Sequence, residues 1–304
     1  MHALALAAVL ACGGLAPCGV PSLDRSSPFI AELFAMSPSL APDAFARLHA
    51  AGYAATVVRL ADLDLPRIGH AIGVGEDPIH AFLDVETAGG GYDAKGRLKA
   101  LYEPHRAFKN AAKVSRALRD RFVAAGLAYE SWGAKPYPAD SYPRIAAAVA
   151  LDETVALLSA SWGIGQVLGE NFRAAGYGSV QEMVAAYATG GEAEQLASAV
   201  RFIKARGLDD ELRAIDAKIR RGVKPTAADW TAFAEGYNGP SQAKHGYAGK
   251  LATRSVFWMG KPDTAWTLPP VATGSLPGLA LTPPAAPAAP TSAKCTSCGK
   301  ALAA

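Results

Sequence analysis

The chain has 304 residues, half of them hydrophobic, which is ample apolar material for one large domain or two small ones and excludes a disordered chain. Its formal net charge is +3, and its 30 basic residues are scattered, so no basic stripe points to a nucleic acid as the partner. A mildly positive balance suits an anionic polymer without identifying one.

The N-terminal segment, residues 1–22, is rich in Ala, Leu and Gly and contains an apolar run from Ala3 to Ala11 that is typical of a signal h-region. No Lys or Arg precedes this run, whereas a signal peptide begins with positive charge. Val9 to Cys12 loosely matches a lipoprotein cleavage box. No stretch reaches the roughly 18 apolar residues of a transmembrane helix, so the sequence predicts no membrane span and leaves the export route open.

The four cysteines lie at the two ends of the chain, at Cys12, Cys18, Cys295 and Cys298, so the folded middle needs no disulfide. The last two have the CxxC spacing of zinc sites, but such sites need four ligands and no second pair is nearby. The sequence therefore predicts neither a metal nor a cofactor. The CxxC lies in residues 260–304, which are predicted to form a Pro/Ala-rich tail.

The first helical patterns lie in an N-terminal segment of unclear role, residues 23–59, and just after it. Pro42 to Ala51 and Asp64 to Ile72 are both amphipathic, and each has a proline in its first turn, where proline is tolerated. The main folded region is predicted from residue 60 to residue 259.

A third helix, predicted from Asp77 to Ala88, has an acidic residue where its apolar stripe predicts a hydrophobe. The stripe follows the i, i+3, i+4, i+7 spacing of one helix face and consists of Ile79, Phe82, Leu83 and Glu86. Burial would raise the pKa of Glu86, as an acid that donates a proton near neutral pH requires. The alternative is a carboxylate at the rim of the core that pairs with an Arg. Asp84 falls off this face and is predicted to be solvated.

Glycines end this helix, and a small sheet is predicted to follow it. Gly89 to Gly91 is a strong stop signal, Tyr92 to Gly96 is rich in turn residues, and Arg97 to Glu103 has the pattern of a strand. We expect a hairpin or a three-stranded sheet here. A polar loop region with Trp132 and several prolines then leads to Tyr142–Ala160, whose apolar residues have helical spacing.

The second half of the chain is predicted to be helical. A capping box at Ser179 opens a helix that runs to Ala188, and two amphipathic helices follow over 192–206 and 209–221. Thr226 caps one more helix, whose inward residues are Trp230, Phe233 and Ala234. The predicted fold class is α+β and predominantly α, with about eight to ten helices and one small sheet.

Three clusters combine polar side chains with glycine at the ends of predicted elements. They are Glu86-Thr87-Ala88-Gly89, Ser161-Trp162-Gly163-Ile164-Gly165-Gln166 and Phe233-Ala234-Glu235-Gly236-Tyr237-Asn238-Gly239-Pro240. Glycine lets backbone approach a ligand closely, and the amide and hydroxyl groups suit a neutral polymer rich in hydroxyls, such as a glycan. Trp162 and Tyr237 are candidates for stacking on sugar rings.

Other kinds of site are disfavoured. Gly163-x-Gly165 is a near miss for a dinucleotide fingerprint, but its spacing is wrong and a helix is predicted where a strand must precede it. The sequence has no HExxH or GxSxG motif, and no cysteine near the predicted core serves as a nucleophile.

Taken in order, the clusters resemble the N-acetylmuramidase family of phage endolysins over about Leu60 to Trp258. The segments that carry the resemblance are Phe82 to Tyr92, Gly96-Arg97 through Leu101 to His105, Ser159 to Val167, and Phe233 to Pro240 followed by Tyr247. The order of Glu, Ser-x-Gly-x-x-Gln and Tyr-Asn-Gly also looks like lytic transglycosylases and goose-type lysozymes. Tyr102 and Pro104 depart from the residues that the family often has.

The resemblance implies a lysozyme-like helical domain that cuts peptidoglycan, with Glu86 as the general acid at the bond between N-acetylmuramic acid and N-acetylglucosamine. It implies substrate contacts from Ser161, Trp162, Gly163, Gln166, Tyr237, Asn238, Gly239 and Tyr247. A glycoside hydrolase usually needs a second carboxylate, about 5 Å away for retention and farther for inversion. Glu103, Asp93 and His105 are the candidates for that second or orienting group.

Alternatives to this mechanism remain open. The substrate's own acetamido group or 6-hydroxyl could replace the second carboxylate, and the latter would make the protein a lytic transglycosylase. A wall-binding protein without turnover is the non-enzymatic alternative. We expect a monomer that is made in the host cytoplasm and acts on the cell wall.

Overall fold

The computed structural model describes residues 43–86, 90–240 and 242–267. In chain order the elements are α1 (Ala44–Ala50), α2 (Asp64–His70), α3 (Glu76–Glu86), β1 (Ala100–Tyr102), α4 (Pro104–Val114), α5 (Arg116–Ala124), α6 (Tyr142–Val149), α7 (Glu153–Leu158), β2 (Ala160–Trp162), β3 (Val167–Leu168), α8 (Val180–Ala205), α9 (Asp209–Arg220), α10 (Ala227–Asn238), α11 (Gln242–His245) and α12 (Tyr247–Trp258). The predicted N-terminal segment 1–22, the four cysteines, Thr87 to Gly89 and the tail from residue 268 lie outside the described residues.

The described part has the predicted fold class, with twelve α-helices and one three-stranded antiparallel sheet. The strand order is β1-β2-β3, and Leu101 of β1 stands opposite Ser161 of β2. The sheet therefore joins the strand after the Glu86 helix to the second polar cluster, far along the chain. The local hairpin expected after α3 is reduced to isolated bridges, such as Tyr92 with Leu98.

The prediction of a single helix over Tyr142–Ala160 is wrong at two points. Asp152 interrupts it, because its side chain accepts a hydrogen bond from the backbone N–H of Val155 at 2.8 Å and so caps a new helix, α7. The helical pattern ends at Leu158, and Ala160–Trp162 pairs with β1 as a strand. Tertiary pairing thus overrides helical spacing at this end of the segment.

Two helices, α4 and α5, occupy the stretch after Glu103, for which the sequence analysis predicted no element. Pro104 stands in the first turn of α4, and the Ser115 hydroxyl caps α5 by accepting from the N–H of Leu118 at 3.0 Å. Both helices are polar on average, and although α4 is strongly amphipathic, its buried face consists of small and polar residues such as Ala107, Asn110 and Ala111, so it has no run of large hydrophobic residues.

Helix α3 lies at the centre of the fold, since it packs against α12 and also contacts α2 and α9. Its residues Ile79 and Phe82 have no exposed surface, in line with the predicted stripe. Helix α8 contains both predicted helices of 179–206 and is interrupted at Gly191, where the backbone is not helical. Its capping box, Ser179 with Glu182, is present as predicted.

The two ends of the described residues pack onto this same core. Phe45, Leu48 and Tyr53, which precede residue 60, are buried in the same hydrophobic cluster as the residues that follow it. After α12, the N–H of Thr264 donates to Glu76 Oε1 at 2.5 Å. Within the described ranges, no helix is both long and apolar enough to cross a bilayer.

Candidate active site

A cleft of about 700 Å³ opens at the C-terminal end of α3. Eight of the predicted site residues line it: Glu86, Glu103, Ser161, Gln166, Tyr237, Asn238, Gly239 and Tyr247. The fold thus brings together residues from all three polar clusters and from the start of α4. The remaining predicted residues, Asp93, His105, Trp162 and Gly163, are not part of the cleft lining.

Glu86 is the last residue of α3, and its carboxyl group faces the cleft. Burial raises the pKa of Glu86 to about 7, although the hydrogen bond from Asn238 and the charge of Lys250 act in the opposite direction. The Asn238 amide donates from Nδ2 to Glu86 Oε1 at 2.9 Å. Among the described residues no Arg or Lys forms an ion pair with Glu86, so the alternative of a core-rim ion pair has no support.

Asp84, two residues before Glu86, has a different environment. It is on the exposed side of α3, but its carboxylate accepts hydrogen bonds from Arg254 at 2.7 Å and Trp258 at 2.6 Å. The prediction that Asp84 leaves the apolar face is right, while its carboxylate is paired rather than simply solvated. Two acidic groups on one helix are therefore distinguished by their partners.

The end of α10 supplies Tyr237 and Asn238. A capping box of Thr226 with Asp229 begins this helix, and the fully buried Trp230 and Phe233 hold it against the core. The Tyr237 hydroxyl donates to the carbonyl of Gly165 at 2.7 Å, and its ring lies in an aromatic cluster. These contacts fix the helix end from which Asn238 reaches Glu86, and Gly239 then ends the helix.

The turn between β2 and β3 brings the second cluster to the cleft. Gly163 has φ +68°, a conformation that glycine adopts without strain, and Gln166 has φ +46°, which is uncommon for a residue with a side chain. Gln166 Nε2 donates to the Gly163 carbonyl at 2.8 Å and so closes the turn on itself. The Ile164 N–H donates to Gln195 Oε1 at 2.8 Å, which anchors the turn to α8.

The structure corrects the roles predicted for Trp162 and Gly163. The indole of Trp162 has no exposed surface, stacks near Tyr53 and donates to the carbonyl of Leu157 at 3.1 Å, so it cannot contact a sugar. A Cβ on Gly163 would lie 2.7 Å from the ring of Tyr187, so this glycine serves packing behind the turn. The reason is strand geometry: Ser161 faces the cleft, and the next residue must face the core.

The second wall of the cleft carries Glu103, which follows β1 and stands at the N-terminus of α4. The Ser161 hydroxyl donates to Glu103 Oε1 at 2.8 Å across the β1–β2 pair. Burial raises the pKa of Glu103, and the Ser161 hydrogen bond and the charge of Arg106 oppose that rise. Arg106 itself pairs with Glu170 at 2.8 Å.

His105 and Asp93 are placed differently from Glu103. His105 is buried beside it, with Nε2 at 3.7 Å from Glu103 Oε2, and burial lowers the pKa of His105 to about 4. Asp93 accepts hydrogen bonds from the N–H groups of Lys95 and Arg97 and from Arg97 Nε, so it closes the predicted turn. The structure thus removes Asp93 from the candidates for a second catalytic carboxylate.

The cleft also contains residues that the sequence analysis did not assign to it. They are Leu101, Arg106, Trp132, Tyr137, Val167, Leu168, Glu170, Asn171, Phe202, Arg206, Glu235, Gly236 and Pro240. Leu101, Val167, Glu235, Gly236 and Pro240 lie in the segments that carry the family resemblance but were given no role, and the others come from elements and loops outside those segments. Trp132 had a usable signal, because a tryptophan in a segment of Ser, Gly and Pro has little apolar sequence around it to bury it. Among the described residues, no group of three or more His, Cys, Asp or Glu side chains is arranged to hold a metal ion.

Comparison with known proteins places this cleft in a family. The family model described as N-acetylmuramidase matches residues 76–256, which include Glu86, Glu103, the β2–β3 turn and the end of α10. The solved structure of the Burkholderia AP3 phage endolysin is 32% identical in sequence, with a TM-score of 0.55 over 66% of this chain and 71% of that one. No curated protein matches the chain. The chain belongs to the N-acetylmuramidase family and is a glycoside hydrolase that acts on the peptidoglycan of the cell wall.

Proposed function

We propose that this muramidase hydrolyses the β-1,4 bond between N-acetylmuramic acid and N-acetylglucosamine, with Glu86 as the general acid. The observation that carries the proposal is a carboxyl group at the cleft whose pKa is raised to about 7 by burial, against the charge of Lys250, and which forms no ion pair in the described residues. A glycosidase acid must hold its proton near the working pH, and burial is the usual way to achieve this.

The contact with Asn238 supports a proposal for which oxygen of Glu86 carries the proton. Because the amide donates to Oε1, that oxygen acts as an acceptor, and the proton is held on Oε2. Transfer of this proton to the glycosidic oxygen leaves a carboxylate. The same hydrogen bond strengthens as the negative charge develops, so Asn238 stabilises the product of proton transfer.

Glu103 is the proposed second carboxylate. It lines the wall built from β1, β2 and α4, and the hydrogen bond from Ser161 favours its ionised form. An ionised Glu103 can accept a proton from water or face the positive charge of an oxocarbenium-like transition state. Glu170 also lines the cleft, but its ion pair with Arg106 makes it less available as a base.

The catalytic assignment is tested by measuring the release of soluble fragments from purified peptidoglycan by wild type, Glu86→Gln and Asp84→Asn. Asp84 is the matched control, because it is an acid on the same helix with its own partners outside the cleft. We expect Glu86→Gln to lose about 10²- to 10⁴-fold in rate, the usual contribution of general acid catalysis, and Asp84→Asn to remain active. Equal release by wild type and a folded Glu86→Gln would rule out the assignment.

The bond and the type of reaction are tested on the products. Reduction of the new ends with borohydride gives muramitol if the cut follows N-acetylmuramic acid, and glucosaminitol if it follows N-acetylglucosamine. Mass spectrometry separates these hydrolysis products from 1,6-anhydro ends. Muramitol is the expected product, while anhydro ends would assign the chain to transglycosylation and glucosaminitol would assign it to the other bond.

A further inference from the structure

The loop between α5 and α6 contributes a largely exposed tryptophan to the lining of the cleft. Trp132 lines the cleft, yet 57% of its surface is exposed. The other large hydrophobic residues with comparable exposure in the described ranges do not line the cleft. An exposed indole at the rim of a binding cleft leaves apolar area for a ligand to cover.

Ring contacts through His245 and Tyr247 connect Trp132 to the part of the cleft that contains Glu86. Its ring lies edge-to-face with that of His245, at 6.1 Å between centroids, and His245 lies in the same way at 6.1 Å from Tyr247. Tyr247 lines the cleft, where burial and the nearby charge of Glu86 raise its pKa. Trp132 is therefore beside the reacting bond rather than at it.

The loop that carries Trp132 is anchored at its start. Leu127 and Ala128 are buried, and the N–H of Leu127 donates to the carbonyl of Phe122 at 2.9 Å. Tyr137, later in the loop, also lines the cleft. The exposed indole thus belongs to a segment with fixed attachments along the cleft wall.

We propose that Trp132 is a stacking platform for a sugar ring of the glycan strand, at a position that flanks the bond to be cleaved. The apolar C–H face of a pyranose covers the exposed indole, while the polar groups at the rim of the cleft remain available for sugar hydroxyls. This role replaces the one predicted for Trp162, whose indole is buried. It rests on the proposed function, since it requires that the cleft bind a glycan.

The test measures binding of a hexamer of N-acetylglucosamine to the full chain carrying Glu86→Gln, which prevents turnover. We expect Trp132→Ala to weaken binding on the order of tenfold, as truncation of an anchoring tryptophan does, and Phe257→Ala to leave it unchanged. Phe257 is the matched control, because it is an aromatic residue with 44% exposure that does not line the cleft. In the active protein, Trp132→Ala should raise KM and change kcat little.

Tryptophan fluorescence gives a second readout that loss of stability does not mimic. The chain has five tryptophans, of which Trp162 and Trp230 are fully buried. Trp132→Phe keeps a ring for stacking, so we expect it to bind better than Trp132→Ala but to lose most of the change in emission caused by the sugar. An unchanged dissociation constant in Trp132→Ala, or an unchanged emission response in Trp132→Phe, overturns the inference. Absence of binding in the parent chain also overturns it, whereas an active Glu86→Gln overturns only the catalytic assignment.

Discussion

Replacing Asn238 by Ala removes the hydrogen bond that its amide donates to Glu86 Oε1. This hydrogen bond lowers the pKa of Glu86, whereas burial raises it. Burial is the larger effect, and the resulting pKa is about 7. A hydrogen bond to a charged group contributes about 1.5–3 kcal/mol, and one pH unit corresponds to 1.36 kcal/mol. Because the amide also bonds to the neutral carboxyl, only part of that energy depends on charge, and we expect the pKa of Glu86 to rise by about one unit.

The sign of the effect on the rate follows from the role of Glu86. The active form is protonated, so the rate of the wild type falls as pH rises through about 7. In Asn238→Ala, Glu86 retains its proton to higher pH, so the alkaline limb of the pH–rate profile shifts to higher pH. The maximal rate falls at the same time, because the carboxylate left after proton transfer has lost its donor.

The assay is the initial rate on a soluble labelled glycan at subsaturating concentration, from about pH 5 to about pH 10, which reports the pKa values of the free enzyme. Lys250→Gln is the control, because Lys250 also lowers the pKa of Glu86, by its charge alone. Its shift should have the same direction, be smaller and shrink with added salt. If a folded Asn238→Ala has its alkaline limb at the same pH as wild type, or at lower pH, the reasoning is refuted.

Three further predictions concern burial and charge. A pKa of about 7 for Glu86, against an ordinary 4.5, corresponds to about 3 kcal/mol of lost stability when the carboxyl group is ionised. Above pH 7, urea unfolding should therefore show Glu86→Gln to be more stable than wild type by up to this amount. Near pH 4 the two proteins should be equally stable, because Glu86 is protonated in both the folded and the unfolded wild type. The pKa of Asp77 is raised to about 7 by burial and by neighbouring carboxylates, so Asp77→Asn should raise Tm at about pH 8 and leave it unchanged at about pH 4. An equal rise in Tm at both pH values would contradict this cause. Ser161→Ala should raise the pKa of Glu103 and shift the acidic limb of the pH–rate profile to higher pH. An acidic limb at the same pH as in wild type would argue against Glu103 as the base.

The helix that carries Glu86 could be predicted from the sequence because its signal is local. Ile79 and Phe82 repeat at helical spacing and are fully buried, so an acid on the same face had to meet the interior. The pairing of β1 with β2 could not be predicted in this way. Register between strands far apart in sequence depends on the packing of the helices between them, and neither strand is longer than three residues.

The two tryptophans show how far a motif predicts a side-chain role. Trp162 belongs to a segment on which the resemblance to the family was based, yet it lies on the core side of β2, while its neighbour Ser161 faces the cleft. Alternation along a strand gives this result once Ala160–Trp162 is known to be a strand and not the end of a helix. Trp132 lies outside every motif: the sequence around it indicates exposure, and the folded loop adds that it lines the cleft.

The partners of Glu86 and Glu103 fit the chemistry that each carboxyl group is proposed to perform. A cation in contact with Glu86 would lower its pKa by about 1–3 units and remove its proton at the working pH. Asn238 orients the same carboxyl group with a neutral amide and opposes the effect of burial only in part. Ser161 does the same for Glu103, while the nearby Arg106 is engaged by Glu170. Neutral donors therefore position both carboxyl groups and leave burial as the largest influence on each pKa, which keeps one of them protonated near neutral pH.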